Sequence, residues 1–540
     1  MINRRHFLKT ATLAAGGAAT LAPVRTLSSR NQTSLGFFGV HDFIENHPES
    51  VFIMRTNVDV KTNGPAKKNA GLSFCRSVIV PKEKGIPLTS LIPIKPNLTC
   101  SSTTNTTFSL DYGMGIVTDP YFTEGVIEGM KELGLSGNQF YLREVNCPGD
   151  FGPRGFTTMA QRTGADIRDL SGGVDVIGSN NIVWVDTPKG LWFRRIPYLW
   201  PINAPNTWFL NIAKLKTHGM GVTLCCKNLQ GSISVPYQQH CSSPDSSMSM
   251  KAGDRNPNYS TEIKANYNRH KANGVPRWDR PGSDWNCGLG METWASRCTD
   301  NNLATPVGLH IVEGIYGRDG NGFLEGPNKG TFNAKEAWDY MTNVIIFGKN
   351  QAHVDIIGHW LTGHEPGNFG LFHLARDRGI GKTINPMNIP VYEWKADGTA
   401  ALTPLDKFTR TPLMTYYLQR NYSGQTEPYY HLVNEHYEYP SEQPLAVDEK
   451  AQPKVFALGQ NKPNPFNPST AIEYSLPRGG DAKLEVYDSA GQLVEVLTDG
   501  YHAAGSHMAN WNTTGRASGT YFYRFRFGGF TETKKMVLLK

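Results

Sequence analysis

No stretch of this chain is long and apolar enough to cross a bilayer. A spanning helix needs about 20 consecutive apolar residues, and every candidate run is broken sooner by charge or glycine. Charge is scarce too, at 19% of residues beside 11% aromatics, a balance that excludes wholesale disorder. Charge of one sign is scarcer still once it is located. The 54 basic and 47 acidic residues give +7, but five basic residues and no acid fall in 1–30. The tail, 455–540, holds nine basic and seven acidic residues, which leaves the body, 31–454, with 40 of each. A neutral body has no broad field with which to gather phosphates, so nucleic acid is excluded as a partner. The eight cysteines (75, 100, 147, 225, 226, 241, 287, 298) contain no Cys-x-x-Cys-x-x-Cys run, the spacing an internal iron–sulfur cluster needs. At 540 residues, about three domains are expected, and such a chain needs no disulfide or metal to complete its core.

The two ends carry addresses. Arg4-Arg5-His6-Phe7-Leu8-Lys9 precedes an uncharged Ala/Gly-rich run from Thr10 to Val24. A basic start followed by a short, mildly apolar stretch is export-leader chemistry. Gly16-Gly17 in mid-run argues against an ordinary helix. Residues 1–30 resemble a twin-arginine leader, which implies the twin-arginine translocase as a partner and folding before export. The tail reads as short strands. In Tyr521–Phe527 aromatics alternate with Arg524 and Arg526, the pattern of a half-buried strand, and Gly528-Gly529 predicts a hairpin into Phe530–Leu539. Lys483–Tyr487 and Gln492–Leu497 predict another around Ala490-Gly491. A small immunoglobulin-like β-sandwich over 455–540 is expected. Its Pro463-Asn464-Pro465-Phe466-Asn467-Pro468-Ser469-Thr470 opening and Lys534-Lys535-Met536 to Lys540 ending resemble a type IX secretion sorting domain. That resemblance implies the type IX machinery as a partner and a cell-surface or extracellular destination.

The body, 31–450, alternates apolar runs with polar loops and helical patterns. Leu88–Ile94 predicts a strand ending at Lys95-Pro96-Asn97, since proline cannot continue a central ladder. Thr118-Asp119-Pro120 places a capping side chain before a first-turn proline, and Phe122, Val126, Met130 and Leu133 recur at helical spacing. Gln139–Val145, Trp208–Ala213 and Leu309–Val312 predict further strands, the last two halting at Lys214-Leu215-Lys216-Thr217-His218 and at Glu313-Gly314. Strands alternating with helices predict an α/β body around a central, mostly parallel sheet, with ligands at the strands' carboxyl ends. The blocks Ile94–Leu98, Ile212–His218, Gly221-Val222-Thr223, Lys227-Asn228-Leu229-Gln230-Gly231, Val312-Glu313-Gly314, Gly320-Asn321-Gly322 and His353-Val354-Asp355 resemble the domain-of-unknown-function 362 family across about 85–385. The resemblance implies no fixed reaction. It implies redox association in relatives with ferredoxin-type cysteines, a version from which this chain departs.

The loops suggest chemistry. Lys214, Lys216, Thr217 and His218, followed by Gly219 and Gly221 at a presumptive helix start, suit a carboxylate or phosphate, and Lys95 with Asn97 adds an ammonium and an amide. A desolvated lysine is alternatively a base or Schiff-base former. His218 is the expected proton carrier. Glu313, Asp319 and Asn321 are candidate oxygen ligands for a divalent cation such as calcium or magnesium. Asp355, on a helix-like run, needs a partner if buried, a lysine being one option. His353, His359, His364 and His373 lack the i, i+4 pairing of a zinc site and read as packing residues. Cys225-Cys226 reads as packing on the helix after the lysines. Residues 232–306, with Trp278, Trp285 and Trp294, form an insertion that serves as a lid or as a surface excursion, and Cys241, Cys287 and Cys298 are open to bridging there. The favoured reading is an exported enzyme on a small anionic substrate. A surface adhesion protein using the tryptophans, or a redox protein, are the alternatives.

Overall fold

The computed structural model describes residues 36–98, 115–145, 151–152, 154–168, 170, 173–218, 221–235, 237, 250–275, 288–320, 337–416, 430–441, 445, 456–477, 480–502 and 505–539. The leader, Gly219 and Asn321 lie outside the described residues.

The body is built on a ten-stranded sheet. Its strands are β1 (Val51–Arg55), β2 (Ile92–Pro96), β3 (Phe140–Leu142), β4 (Asp166–Ile167), β5 (Leu210–His218), β6 (Gly221–Thr223), β7 (Leu309–Arg318), β8 (Asp339–Gly348), β9 (Val391–Trp394) and β10 (Ala400–Leu402). Across the sheet the order is β10-β9-β1-β8-β7-β5-β2-β3-β4, with β6 folded back antiparallel on β5. Five neighbours, β7, β5, β2, β3 and β4, run parallel. Both faces are covered by helices: α1 (Gly64–Val78), α2 (Pro120–Lys131), α3 (Phe156–Thr163), α4 (Cys225–Asn228), α5 (Tyr259–Ala272), α6 (Gly288–Ala304), α7 (Gln351–Leu361) and α8 (Gly370–Asp377). Ile94, Ile212 and Ile311 share one core with Phe74 of α1 and Phe122 of α2. Ala213, Leu215 and Val312 share the other with α4, α6, α7 and α8.

Helix α2 begins as its sequence predicts. Asp119 accepts hydrogen bonds from the N–H groups of Tyr121 and Phe122, ahead of Pro120 at the first turn. It packs on α1 through glycines, because a Cβ on Gly71 would lie 2.1 Å from the Phe122 carbonyl oxygen.

The strands run further than their apolar patterns predict. The Lys214–His218 segment is not a loop but the second half of β5, and Glu313-Gly314 lies inside β7. All nine residues of β5 and all ten of β7 are buried. The polar residues continue the ladder because Lys214 is in register with Glu313, so the two charges are matched strand to strand. From that pair to Lys216↔Arg318, β7 advances five residues while β5 advances two, a bulge just past the ion pair. The insertion also differs from a surface excursion: α6 buries Trp294, Arg297, Cys298, Asp300 and Asn301. The Asp300 carboxylate accepts from the N–H groups of Leu191, Trp192 and Phe193, which pins α6 to the body.

The tail is all β. Strands β11 (Ser469–Leu476) and β14 (Gly505–Asn512) pair in one sheet, joined by Ala457–Leu458. Strands β12 (Gly480–Tyr487), β13 (Leu493–His502), β15 (Gly519–Phe527) and β16 (Phe530–Leu538) form the second. Both predicted hairpins are present. Tyr521, Tyr523, Phe525 and Phe527 join one core with Trp511 and Met536, the inner layer of a sandwich.

Candidate functional site

The carboxyl-terminal parts of β2 and β5 carry three buried lysines, and the fold treats each differently. Lys214 lies on the α1/α2 face. Its Nζ is 2.8 and 3.0 Å from the Glu313 carboxylate oxygens and 3.5 Å from the Tyr316 ring centroid. Glu313 also accepts from the backbone N–H groups of Asp119 and Ile315, each at 3.1 Å. The Asp119 carboxylate, besides capping α2, accepts from Lys67 Nζ at 2.5 Å and from the Tyr316 hydroxyl at 2.7 Å. Two ammonium groups and two carboxylates are thus interleaved without water access. Burial holds the Lys214 pKa down and pushes the Glu313 pKa up, each partly restored by the other.

Lys95 lies on the opposite face, in register with Asn211. Its Nζ donates to Glu144 at 2.7 Å, to the Pro96 carbonyl at 2.6 Å and to Asn228 Oδ1 at 3.2 Å. Asn97 Nδ2 donates to the same Asn228 oxygen at 3.1 Å. Asn228 Nδ2 returns to the Lys95 carbonyl and to Asn211 Oδ1. The turn after α4 closes over this pair through Gly231, where a Cβ would lie 1.9 Å from Glu144 Oε1. Lys95 and Asn97 are therefore engaged in a structural lock and not in an open anion cradle.

Lys216, fully buried, is set apart by its surroundings. Desolvation holds its pKa well below the usual ammonium value, Lys227, Arg154 and Arg318 lower it further, and Glu144 raises it. Of those cations, Arg318 is held by Asp339 at 2.8 Å. Arg154 is buried ahead of α3, and Lys227 lies on α4. His218 closes β5, and its carbonyl accepts from Thr415 Oγ1 at 2.6 Å. At 9% exposure it is the most accessible of the four polar residues from Lys214 to His218.

Several expected roles are reassigned. The Thr217 hydroxyl lies among the carbonyls of Arg318, Gly320 and Met414 at 3.0 to 3.2 Å, so it fastens the strand end. Gly221, at φ +96°, turns the chain into β6, and no helix starts there. The helix that does follow, α4, already has its anion. Asp355 of α7 accepts from the N–H groups of Cys225 and Cys226 at 2.9 and 2.8 Å and from Gln351 at 2.7 Å. Its partner is thus a pair of backbone amides and a side-chain amide, where a lysine was one option. Burial pushes its pKa up to about 7.

Glu313 and Asp319, two of the three candidate cation ligands, are both engaged by protein donors. Glu313 is committed to Lys214, while Asp319 accepts from Trp338 N–H at 2.7 Å and the Tyr340 hydroxyl at 3.2 Å. Among the described residues, no group of three or more His, Cys, Asp or Glu side chains forms a metal cradle.

The histidines pack, as their spacing predicts. His353 accepts from Lys382 N–H at Nε2 and lies 2.7 Å from the Glu49 carbonyl at Nδ1. His364 bridges the Leu413 carbonyl and Val433 N–H. His373 contacts the Gly367 carbonyl, and His359 stacks on Phe369 at 5.0 Å. Sequence reasoning missed Lys67, Glu144, Arg154 and Lys227 as members of the site. Glu144 alone carried a signal, an acid closing the apolar β3 pattern.

With this geometry in view, the chain divides into an α/β body and the tail of a secretion cargo. Residues 463–539 match the secretion system C-terminal sorting domain, so the protein is exported through the type IX machinery to the cell surface or extracellular space. Residues 92–359, from β2 to α7, match the domain of unknown function DUF362. No curated relative matches the sequence. Among the described residues no helix is long and apolar enough to cross a membrane.

Two outcomes follow from the buried charges. Lys214→Met leaves Glu313 buried without its ammonium and is expected to lower unfolding stability by about 3–5 kcal/mol, with much of it regained in Lys214→Met/Glu313→Gln. Urea titration checks this, and equal losses in both variants would contradict it. For Asp355, the folded pKa of about 7 lies above the unfolded 3.8, so its contribution is fully present below the unfolded value and lost as pH rises toward the folded one. The stability of Asp355→Asn relative to the natural chain is therefore expected to climb across that window. A constant difference would contradict the assignment.

Proposed function

We propose that the body is an exported enzyme acting on a small carboxylate- or phosphate-bearing substrate at the carboxyl end of the sheet, with Lys216 as its base. The observation that carries this reading is the burial of Lys216 close to several cationic groups at the end of β5. Lys216 is fully buried, and after desolvation Lys227, Arg154 and Arg318 are the largest influences holding its pKa well below the usual ammonium value. A buried amine in a cationic setting is unprotonated nearer to neutrality than an ordinary lysine, the state a base or nucleophile needs. Arg154 and Lys227 would hold the substrate anion, and that anion in turn would favour the protonated form of Lys216 after it has taken a proton. His218, at the mouth of the same strand, would pass that proton to solvent. No cation is assigned to this reading, because Glu313 and Asp319 are already engaged by protein donors. Export would begin at the twin-arginine translocase, on the strength of the Arg4-Arg5 leader.

Calorimetric titration of the purified protein with inorganic phosphate and with a small dicarboxylate tests the reading, run in buffers of different ionisation enthalpy. Binding near neutral pH is expected to take up a proton, to lose that uptake in Lys216→Met, and to weaken on the order of tenfold in Arg154→Ala, the loss of one charge-assisted contact. Binding with no proton uptake, or unchanged by either substitution, would contradict it.

A further inference from the structure

The adjacent cysteines of α4 point in different directions and have different neighbours. The Cys225 thiol donates to the Ile311 carbonyl of β7 at 3.6 Å and so faces the sheet. Cys226 faces α6. Its sulfur accepts from Asn302 Nδ2 at 3.0 Å, and the same amide donates to the Cys298 carbonyl at 2.7 Å. Asn302 thus holds the Cys226 sulfur beside the Cys298 backbone, and both cysteines are buried in the core shared by α4 and α6. Cys75, by contrast, is enclosed on α1 against α2, in the other core. All four are free thiols.

A protein delivered to the cell surface or extracellular space meets an oxidising setting, where a juxtaposed thiol pair does not stay reduced by default. We propose that Cys226 and Cys298 are a disulfide site that closes after export and ties α4 to α6. The step is a two-electron oxidation by a disulfide donor. The Cys226 and Cys298 S–H bonds are lost, an S–S bond forms between them, and the donor's disulfide is reduced to two thiols that take the two protons. The consequence reaches the sheet end, because α4 carries Asn228, the residue that joins Lys95 to Asn97. Burial raises the Cys226 pKa well above that of a free thiol, so attack awaits a local opening of α4 and the bond forms slowly in the folded protein. The inference is independent of the anion reading above.

The test uses the full chain, purified with reductant and then held in oxidised glutathione with urea below the unfolding transition. Free thiols are blocked with N-ethylmaleimide in denaturant, and the protein is digested without reduction. The expected product is the Cys226 peptide joined to the Cys298 peptide, with fragment ions placing the link at Cys226 and the maleimide at Cys225. The oxidised protein is also expected to melt above the reduced one, a rise lost in both Cys226→Ser and Cys298→Ser. Recovery of both thiols as maleimide adducts after prolonged exposure would overturn the proposal. So would a Cys298 link to Cys225, Cys241 or Cys287, or a rise in melting temperature that survives in Cys226→Ser.

Discussion

The sheet end depends on the buried ion pair between Lys214 and Glu313. Adjacent parallel strands place the two residues in register, and neither side chain is exposed. A lone charge at such a position would be too costly to keep, so each residue makes the other tolerable. That mutual compensation allows β5 and β7 to continue beyond their apolar halves.

The same logic is repeated on the other face, where Glu144 answers Lys95 and the amides of Asn228 and Asn97 use the remaining hydrogen-bonding capacity. Helix α4 connects the two halves of the arrangement. Its amide end is neutralised by Asp355 from α7, and its far end delivers Asn228 to Lys95. Lys216 lies two residues beyond Lys214 on β5, beside both of these pairs. A buried amine close to other cations is the arrangement expected where a group must hold an unusual protonation state.

Local patterns in the sequence carried much of the fold. Asp119-Pro120 marked the start of α2, because a cap and a first-turn proline act within one turn. Gly528-Gly529 marked the last hairpin for the same reason. What was illegible depends on partners far along the chain. Lys214 read as a loop residue since its carboxylate is 99 residues away. The α6 segment read as an excursion because its burial rests on polar anchors such as Asp300, which apolar periodicity does not register. Glu313 and Asp319 resembled cation ligands by residue type, and only the three-dimensional positions of Lys214 and Trp338 revealed prior engagements.

The proposed site requires that an anion be drawn to Lys216, Arg154 and Lys227 at the carboxyl end of the sheet. Anomalous diffraction from crystals soaked in tungstate, a heavy phosphate mimic, tests it most directly. An ordered peak is expected within hydrogen-bonding distance of at least two of those three side chains. Peaks confined to exposed surface lysines, with that sheet end vacant, would contradict it.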